Sequence, residues 1–128
     1  MSCQTDFSTV ITAAGNITCK RADTFSLEFE MLYADDQTPC DLSGYDSIIM
    51  SVKASPKDST YVLQFTTADT TFVVNGSRFT LFKAADKMNI EAKGYVYDMQ
   101  GTKGTVITTI AAGSFTVLED VTRTTDTP

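Results

Sequence analysis

The sequence of 128 residues contains no histidine and no tryptophan, and it has only three cysteines and three prolines. Without an imidazole there is no Ser-His-Asp or Cys-His pair, no His-ligated zinc, and no side chain that ordinarily titrates near neutral pH. An enzyme of this composition would have to use a carboxylate pair, a lysine or a tyrosine. The sequence also lacks a phosphate-binding loop of the G-x-x-x-x-G-K-S/T type. We therefore expect a protein that is not an enzyme and that holds no cofactor or metal ion.

Basic residues are also scarce, since 10 lysines and arginines stand against 16 aspartates and glutamates, for a formal charge of −6. Proteins bind the phosphates of nucleic acids and anionic lipids through clustered lysine and arginine. No stretch approaches the ~20 apolar residues that span a bilayer, and the first residues do not read as a secretory signal. We therefore expect neither nucleic acid nor a membrane as a partner.

The cysteines Cys3, Cys19 and Cys40 are odd in number and form no C-x-x-C motif. They cannot all pair within one chain. Three reduced thiols are typical of a protein made and kept in a cytosol. The alternative is one intramolecular disulfide with one thiol left over.

What the sequence does have is a period-two pattern rich in threonine, valine, isoleucine, phenylalanine and tyrosine, which predicts an all-β protein. Strands are predicted at 24–33, 47–54 and 60–66, a hairpin at 72–82 around Asn75-Gly76, and further strands at 94–99, 105–110 and 114–118. A turn is predicted at 100–104, a bulge or bend at 111–113, and one short helical connector at 83–91. We divide the chain into an N-terminal arm at 1–16, a β-sandwich at 17–121 and a C-terminal tail at 122–128.

Tyr95 and Tyr97 narrow the choice among β folds. Immunoglobulin-like sandwiches carry a tyrosine near the start of their F strand, two residues before a core position, with its hydroxyl bonded to backbone just upstream. Tyr95 after the connector fits that place, and Tyr97 stands where an antibody domain has its second cysteine. The alternative is that both are ordinary strand residues on one face. Because the cysteine and the tryptophan are missing, a disulfide-bearing antibody-type domain is excluded.

Four segments carry a family resemblance: Arg-x-Asp-Thr-Phe at 21–25, Asp-Leu-Ser-Gly-Tyr at 41–45, Gly-Tyr-Val-Tyr-Asp-Met at 94–99, and Gly-Ser-Phe-Thr-Val-Leu-Glu-Asp-Val-Thr-Arg at 113–123. Together they resemble the immunoglobulin-like domain of tailed-bacteriophage structural proteins, best known at the N-terminus of baseplate upper proteins. The resemblance covers roughly residues 17–123. Within these segments we expect Gly44 to supply a positive φ beside a buried Leu42, and Gly113 to let the last strand bend.

The resemblance implies an immunoglobulin-like antiparallel β-sandwich in a non-enzymatic protein of a tailed-phage virion, assembled in the host bacterial cytoplasm. Baseplate proteins continue beyond this domain, whereas this sequence ends shortly after Arg123, which favours a head decoration or a neck or tail component. The implied partners are other virion subunits, with many copies per particle or a homo-oligomer. An N-terminal arm that adds a strand to a neighbour's sheet edge would serve such contacts. The alternative is a binding module for a host surface glycan or protein, with loop aromatics Tyr45, Tyr61 and Phe72 as its anchors.

Three sets of charged residues are candidate chemical sites, and each is better explained as solvated surface. The acidic loop with Asp35, Asp36 and Asp41 lacks the ligand spacing of a calcium loop. The pair Glu28 and Glu30 lies on the wet face of a regular strand, without the burial or the unlike surroundings that an acid–base pair of carboxylates needs. The lysines that flank the connector are Lys83, Lys87 and Lys93.

Overall fold

The computed structural model describes residues 3–7, 16–33, 39 and 41–119, which form two packed sheets. The strands are β1 Cys3–Phe7, β2 Ile17–Lys20, β3 Phe25–Tyr33, β4 Ser47–Lys53, β5 Leu63–Thr66, β6 Phe72–Asn75, β7 Arg78–Lys83, β8 Gly94–Lys103 and β9 Val106–Leu118. A 3₁₀ turn at Ala85–Lys87 lies between β7 and β8. The all-β prediction with one short helical connector is confirmed.

The four-stranded sheet has the order β1-β3-β7-β6, and the five-stranded sheet has the order β2-β9-β8-β4-β5. These orders correspond to the ABED sheet and the extended GFC sheet of an immunoglobulin-like sandwich. Every pairing is antiparallel except that of β2 with β9, which is parallel, with Ile17 opposite Phe115 and Lys20 opposite Leu118. β1, which the sequence division assigns to the arm, pairs with β3 in the four-stranded sheet.

Alternation along the strands builds the core. On β4, Ile48, Met50 and Val52 point inward while the residues between them are half-buried or exposed. Aromatic rings join the two layers, because Phe25 on β3 lies 5.6 Å from the ring of Phe65 on β5 and 5.7 Å from that of Phe115 on β9. The largest fully buried side chains are Phe29, Phe65, Phe72, Phe79, Phe115, Ile17, Met31, Leu42, Ile48, Met50, Leu81 and Met88.

The predicted hairpin around Asn75-Gly76 forms, but its turn is displaced by one residue. Asn75 is the last residue of β6 and pairs with Arg78, so the two central residues are Gly76 and Ser77. Gly76 has φ +66°, and Ser77 is not among the described residues with positive φ. Only one left-handed residue is therefore needed, and glycine supplies it without steric cost.

The turn predicted at 100–104 is wrong, because β8 continues to Lys103 and the turn is confined to Gly104 and Thr105. Gly101 is a strand residue that pairs with Ile48 on one side and Thr108 on the other. Its missing side chain makes room for a neighbour: a Cβ at this position would lie 2.5 Å from Cδ1 of the Tyr45 ring. Glycine at position 101 makes room for the Tyr45 ring. In a sequence, a glycine that forms a turn cannot be told from a glycine that allows a close contact within a strand.

Strands predicted separately at 105–110 and 114–118 form one strand, β9, with a bulge. The register shift lies at Met99 and Gln100 of β8, which pair with Ala111 and Thr109 and leave Ile110 as the extra residue. The irregularity therefore precedes Gly113, which pairs regularly with Tyr97. A bulge of this kind lets two successive residues face one side, and both Ile110 and Ala111 are buried.

Gly44 also differs from expectation. It lies in the turn after the buried Leu42, but the glycines with positive φ among the described residues are Gly76 and Gly104. A Cβ at Gly44 would meet nothing within 4 Å. The turn therefore does not depend on glycine at this position through either backbone conformation or space.

We predict that Gly101→Ala lowers the free energy of unfolding by about 1–3 kcal/mol, the usual cost of forcing extra atoms into a packed site. The added methyl would approach both Tyr45 and Cδ1 of Ile110, the latter at 2.9 Å. Gly94→Ala is the matched control, since Gly94 is also in β8 and a Cβ there meets nothing within 4 Å. Urea unfolding followed by circular dichroism measures both variants. Equal effects of the two substitutions would contradict the packing role of Gly101.

Candidate interaction surface

The corner at the start of β8 is built on Tyr95, whose hydroxyl donates a hydrogen bond to the backbone carbonyl of Glu91 at 2.6 Å. Burial of the ring raises the pKa of this hydroxyl, and the nearby Glu91 carboxylate raises it further. The ammonium of Lys93 lies 5.4 Å from the ring centroid. Tyr97, two residues on, faces the core, and burial raises the pKa of its hydroxyl strongly. The arrangement is that of a tyrosine corner, a structural device that holds the entry to β8.

We predict that Tyr95→Phe lowers the free energy of unfolding by about 0.5–1.5 kcal/mol, the net value of one hydrogen bond between neutral groups. The ring and its packing are retained, so the change isolates the hydroxyl. Tyr61→Phe is the control because Tyr61 is 52% exposed, and its loss is expected to stay within experimental error. Chemical unfolding measures both. A change in Tyr95→Phe no larger than that in the control would rule out a stabilising corner.

The far end of the β8–β9 hairpin carries the most exposed large apolar side chains of the described residues. Val106 is 63% exposed and Ile107 is 65% exposed, although they are neighbours in β9 and therefore point to opposite faces. The loop before β4 fixes this end, because the amide of Gly104 donates to Oδ2 of Asp46 at 2.7 Å and the amide of Asp46 donates to the carbonyl of Thr102 at 2.7 Å. Hydrogen bonds to Asp46 therefore fix a hairpin end that exposes two apolar side chains.

β9 has a partner strand on each side at its C-terminal end. β2 pairs with Phe115 to Leu118 on one side, and β8 pairs with β9 along its other side. No residue from Gly104 to Leu118 is charged.

A groove of about 390 Å³ lies on the outer face of the five-stranded sheet. Its two charged side chains, Lys53 on β4 and Asp98 on β8, lie on neighbouring strands, and Pro56 from the loop after β4 forms one wall. Uncharged residues make up the remainder of the lining. The lining residues are Ser51, Lys53, Pro56, Val96, Tyr97, Asp98, Thr109, Ala112 and Gly113.

The three loop aromatics named from the sequence are not brought together on the surface. Phe72 is buried and stacks on Phe79 with ring centroids 4.9 Å apart. Tyr45 is half-buried against Gly101. Tyr61 alone is exposed, which leaves one of the three as a ligand anchor.

Three of the carboxylates that the sequence suggests as candidate sites have protein partners. Oε1 of Glu28 lies 3.6 Å from Nη1 of Arg78, and Oε2 of Glu30 accepts a hydrogen bond from the hydroxyl of Ser77 at 3.3 Å. Asp41 accepts from the backbone amide and hydroxyl of Ser43, which lowers the pKa of its carboxyl. Asp35 and Asp36 lie outside the described residues. Within the described part, no group of three or more Asp, Glu, Cys or His could hold a metal ion.

The lysines that flank the connector differ in their surroundings. The ammonium of Lys83 donates to the carbonyl of Gln64 and lies 4.7 Å from the ring centroid of Phe65. Lys93 lies 3.9 Å from the Glu91 carboxylate, and Lys87 is exposed.

Cys19 is a free thiol on β2, and burial, with a smaller effect of Asp23, raises its pKa to about 11. Cys40 and the side chain of Cys3 fall outside the described part of the structure.

The turn between β5 and β6 is closed by Asp69. Its Oδ1 accepts from the hydroxyl of Thr71 at 2.6 Å and from the amide of Thr71 at 3.0 Å, while its own amide donates to Oγ1 of Thr66. The hydrogen bonds from the hydroxyl and the amide of Thr71 are the main cause that lowers the pKa of the Asp69 carboxyl from 3.8 to about 2. The ionised carboxylate therefore stabilises the folded state above pH 3.8, and this contribution is lost as the pH falls towards 2.

We predict that a carbon-detected NMR titration places the pKa of Asp69 near 2 in the wild type. In Thr71→Val the pKa should rise towards its ordinary value, because the hydroxyl donor is gone, so acid destabilisation should begin at higher pH. Thr80→Val is the control, because Thr80 lies on β7 opposite Val73 and Glu28, and it should leave the Asp69 pKa unchanged. An unshifted Asp69 in the wild type would contradict the turn geometry.

No protein-family model matches this chain, and no curated protein matches it. In the described residues, no helix is long and apolar enough to cross a membrane. The fold and the surface described above are therefore the basis for a functional proposal.

Proposed function

We propose that this protein is a non-enzymatic structural component of a tailed-bacteriophage virion, a head decoration or a neck or tail subunit that binds neighbouring virion proteins. It is assembled into the particle in the host bacterial cytoplasm and is present in many copies. The observation that carries the binding role is the end of the β8–β9 hairpin, where Val106 and Ile107 are exposed and hydrogen bonds to Asp46 fix the backbone. Exposed apolar side chains that lie together mark surfaces that bind other chains.

The link to a phage particle rests on the resemblance of four sequence segments to immunoglobulin-like domains of phage structural proteins. Their positions in the fold support it. The first enters β3, the second forms the loop that fixes the hairpin end, and the third forms the start of β8. Residues 113–118 of the fourth form the end of β9.

A second candidate function is a binding module for a host surface glycan or protein. The groove on the outer face of the five-stranded sheet favours it, because Lys53 and Asp98 offer polar contacts there. Tyr61, in the loop between β4 and β5, is an exposed aromatic side chain, and aromatic residues are common anchors in such sites. Phe72 and Tyr45 do not serve as ligand anchors, because Phe72 stacks on Phe79 and Tyr45 packs on Gly101.

Mass spectrometry of purified particles of the phage that encodes this protein tests the proposal. We expect the protein in intact virions at a stoichiometry of many copies, retained through density-gradient purification. Its absence from intact particles would refute the proposal. Specific binding of the recombinant monomer to host cells or to a glycan array, lost in Lys53→Ala and Tyr61→Ala, would favour the second candidate instead.

A further inference from the structure

We propose that Asn75 is a site of spontaneous deamidation in the folded protein, and that the isoaspartate so formed detaches the turn between β6 and β7 from the loop at Leu42. This inference goes beyond the assembly role proposed above and does not depend on it. It follows from the residue after Asn75, from the surroundings of the Asn75 carboxamide, and from the hydrogen bonds that the turn makes.

Deamidation of an asparagine consumes only water and needs no enzyme. The backbone nitrogen of the next residue loses its proton to a solvent base and attacks Cγ of the asparagine, which closes a five-membered succinimide ring. The side-chain nitrogen takes up a proton and leaves as ammonia. Water then opens the ring, giving aspartate by attack at Cγ or isoaspartate by attack at the backbone carbonyl, and nothing is oxidised or reduced. Because the reacting groups are on adjacent residues, access to the nitrogen decides the rate.

The attacking nitrogen is that of Gly76, which is exposed at the tip of the turn. Glycine occurs here because the turn needs φ +66°, and the missing Cβ also leaves its nitrogen unshielded. A Cβ built at Gly76 would meet nothing within 4 Å, so neighbouring atoms do not crowd this position. Asn75 pairs with Arg78 across the turn, which places the Gly76 amide outside the ladder. The residue that the turn requires is therefore also the one that permits the attack.

Asn75 differs in its surroundings from the other two asparagines of the sequence. Oδ1 of Asn16 accepts a hydrogen bond from the hydroxyl of Ser114 at 2.8 Å, and Oδ1 of Asn89 accepts one from Nε of Arg21 at 3.0 Å. Both precede an isoleucine, whose branched side chain hinders attack by its own nitrogen. Asn75 is exposed, and within the part of the chain that the structure describes its carboxamide has no hydrogen-bond partner.

The position of Asn75 in its strand allows the rotation that the reaction needs. Attack on Cγ requires Asn75 to turn about its Cα–C bond, out of the extended conformation. Asn75 is the last residue of β6, which has four residues and stands at the end of its sheet order. The rotation breaks the closing pair with Arg78 and leaves the pairs from Phe72 to Val74 in register. Strand ends open with little free energy compared with core strands.

The two products act differently on the fold. Aspartate leaves the backbone unchanged and places a carboxylate opposite Arg78, whose Nη1 lies 3.6 Å from Oε1 of Glu28. Isoaspartate carries the chain through the side-chain carbon, so the main chain gains one methylene at the start of the turn. The carbonyl of Gly76, which accepts from the amide of the buried Leu42 at 2.9 Å, is thereby displaced. The loop that leads to Asp46 then loses this anchor.

Peptide mass spectrometry tests the modification on the full chain, held folded in mildly alkaline buffer and digested at mildly acidic pH. We expect Asn75 to be converted at least about tenfold faster than Asn16 and Asn89, because glycine lacks the branched side chain that follows both controls. Asn75→Gln should stay unmodified, since its longer side chain closes a ring slowly. Equal rates at the three asparagines, or no conversion of Asn75, overturn the proposal.

A parallel incubation in urea separates reaction in the folded protein from reaction after unfolding. The rate in urea, multiplied by the unfolded fraction in native buffer, gives the conversion that global unfolding alone produces. We expect the native rate at Asn75 to exceed this value, because local opening at the strand end is enough. A native rate no higher than this value overturns the proposal.

Amide hydrogen exchange followed by NMR tests the effect on the loop. In the isoaspartate form, identified by electron-transfer dissociation, the Leu42 amide should exchange at least about tenfold faster than in fresh protein, because its acceptor is displaced. Freshly prepared Asn75→Asp is the matched control, since it adds the charge and keeps the normal backbone. Unchanged exchange at Leu42 in the isoaspartate form, or an equal gain in Asn75→Asp, overturns detachment by the lengthened backbone.

Discussion

The packing of two aromatic sheet faces around Phe25 is the interaction on which the other features depend. Phe25 lies at the start of β3, and its ring touches Phe65 and Phe115, which belong to the opposite sheet. Burial of each such ring stabilises the fold by roughly 1.5–3 kcal/mol, and ring pairs add about 0.5–1.5 kcal/mol. Within the four-stranded sheet, Phe79 continues the layer by stacking on Phe72. The sandwich therefore needs no buried charge, and none of the described residues buries a polar or charged side chain.

The exposed hairpin end results from the unequal lengths of the strands. β8 and β9 are the longest strands described, while β2 and β5 on the flanks of their sheet have four residues each. The paired portions cover the core, and the end of the β8–β9 hairpin extends beyond them. The loop with Tyr45 and Asp46 contacts this end, through the ring packed on Gly101 and the hydrogen bond from Gly104 to Asp46. Val106 and Ile107 are exposed there.

Much of the fold followed from local pattern, and the errors have physical causes. The strand at 24–33 and that at 47–54 were bounded within a residue, because one face of each is continuously apolar. The turn expected at 100–104 was wrong because Gly101 is required by Tyr45, a residue far away in sequence. The exposed pair Val106 and Ile107 was missed as a surface feature. Its signal is two adjacent apolar residues in a strand, one of which must face outward.

The sequence by itself determined the class of fold, the alternation that separates core from surface, and the absence of imidazole chemistry. These are local properties, since side-chain period and composition act within a few residues. Tertiary structure alone decided which strands are neighbours, that Ile17 runs parallel to Phe115, and that Phe72 is buried while Tyr61 is exposed. Such outcomes depend on contacts between residues distant in the chain, and a period of two is the same whichever strand lies beside it.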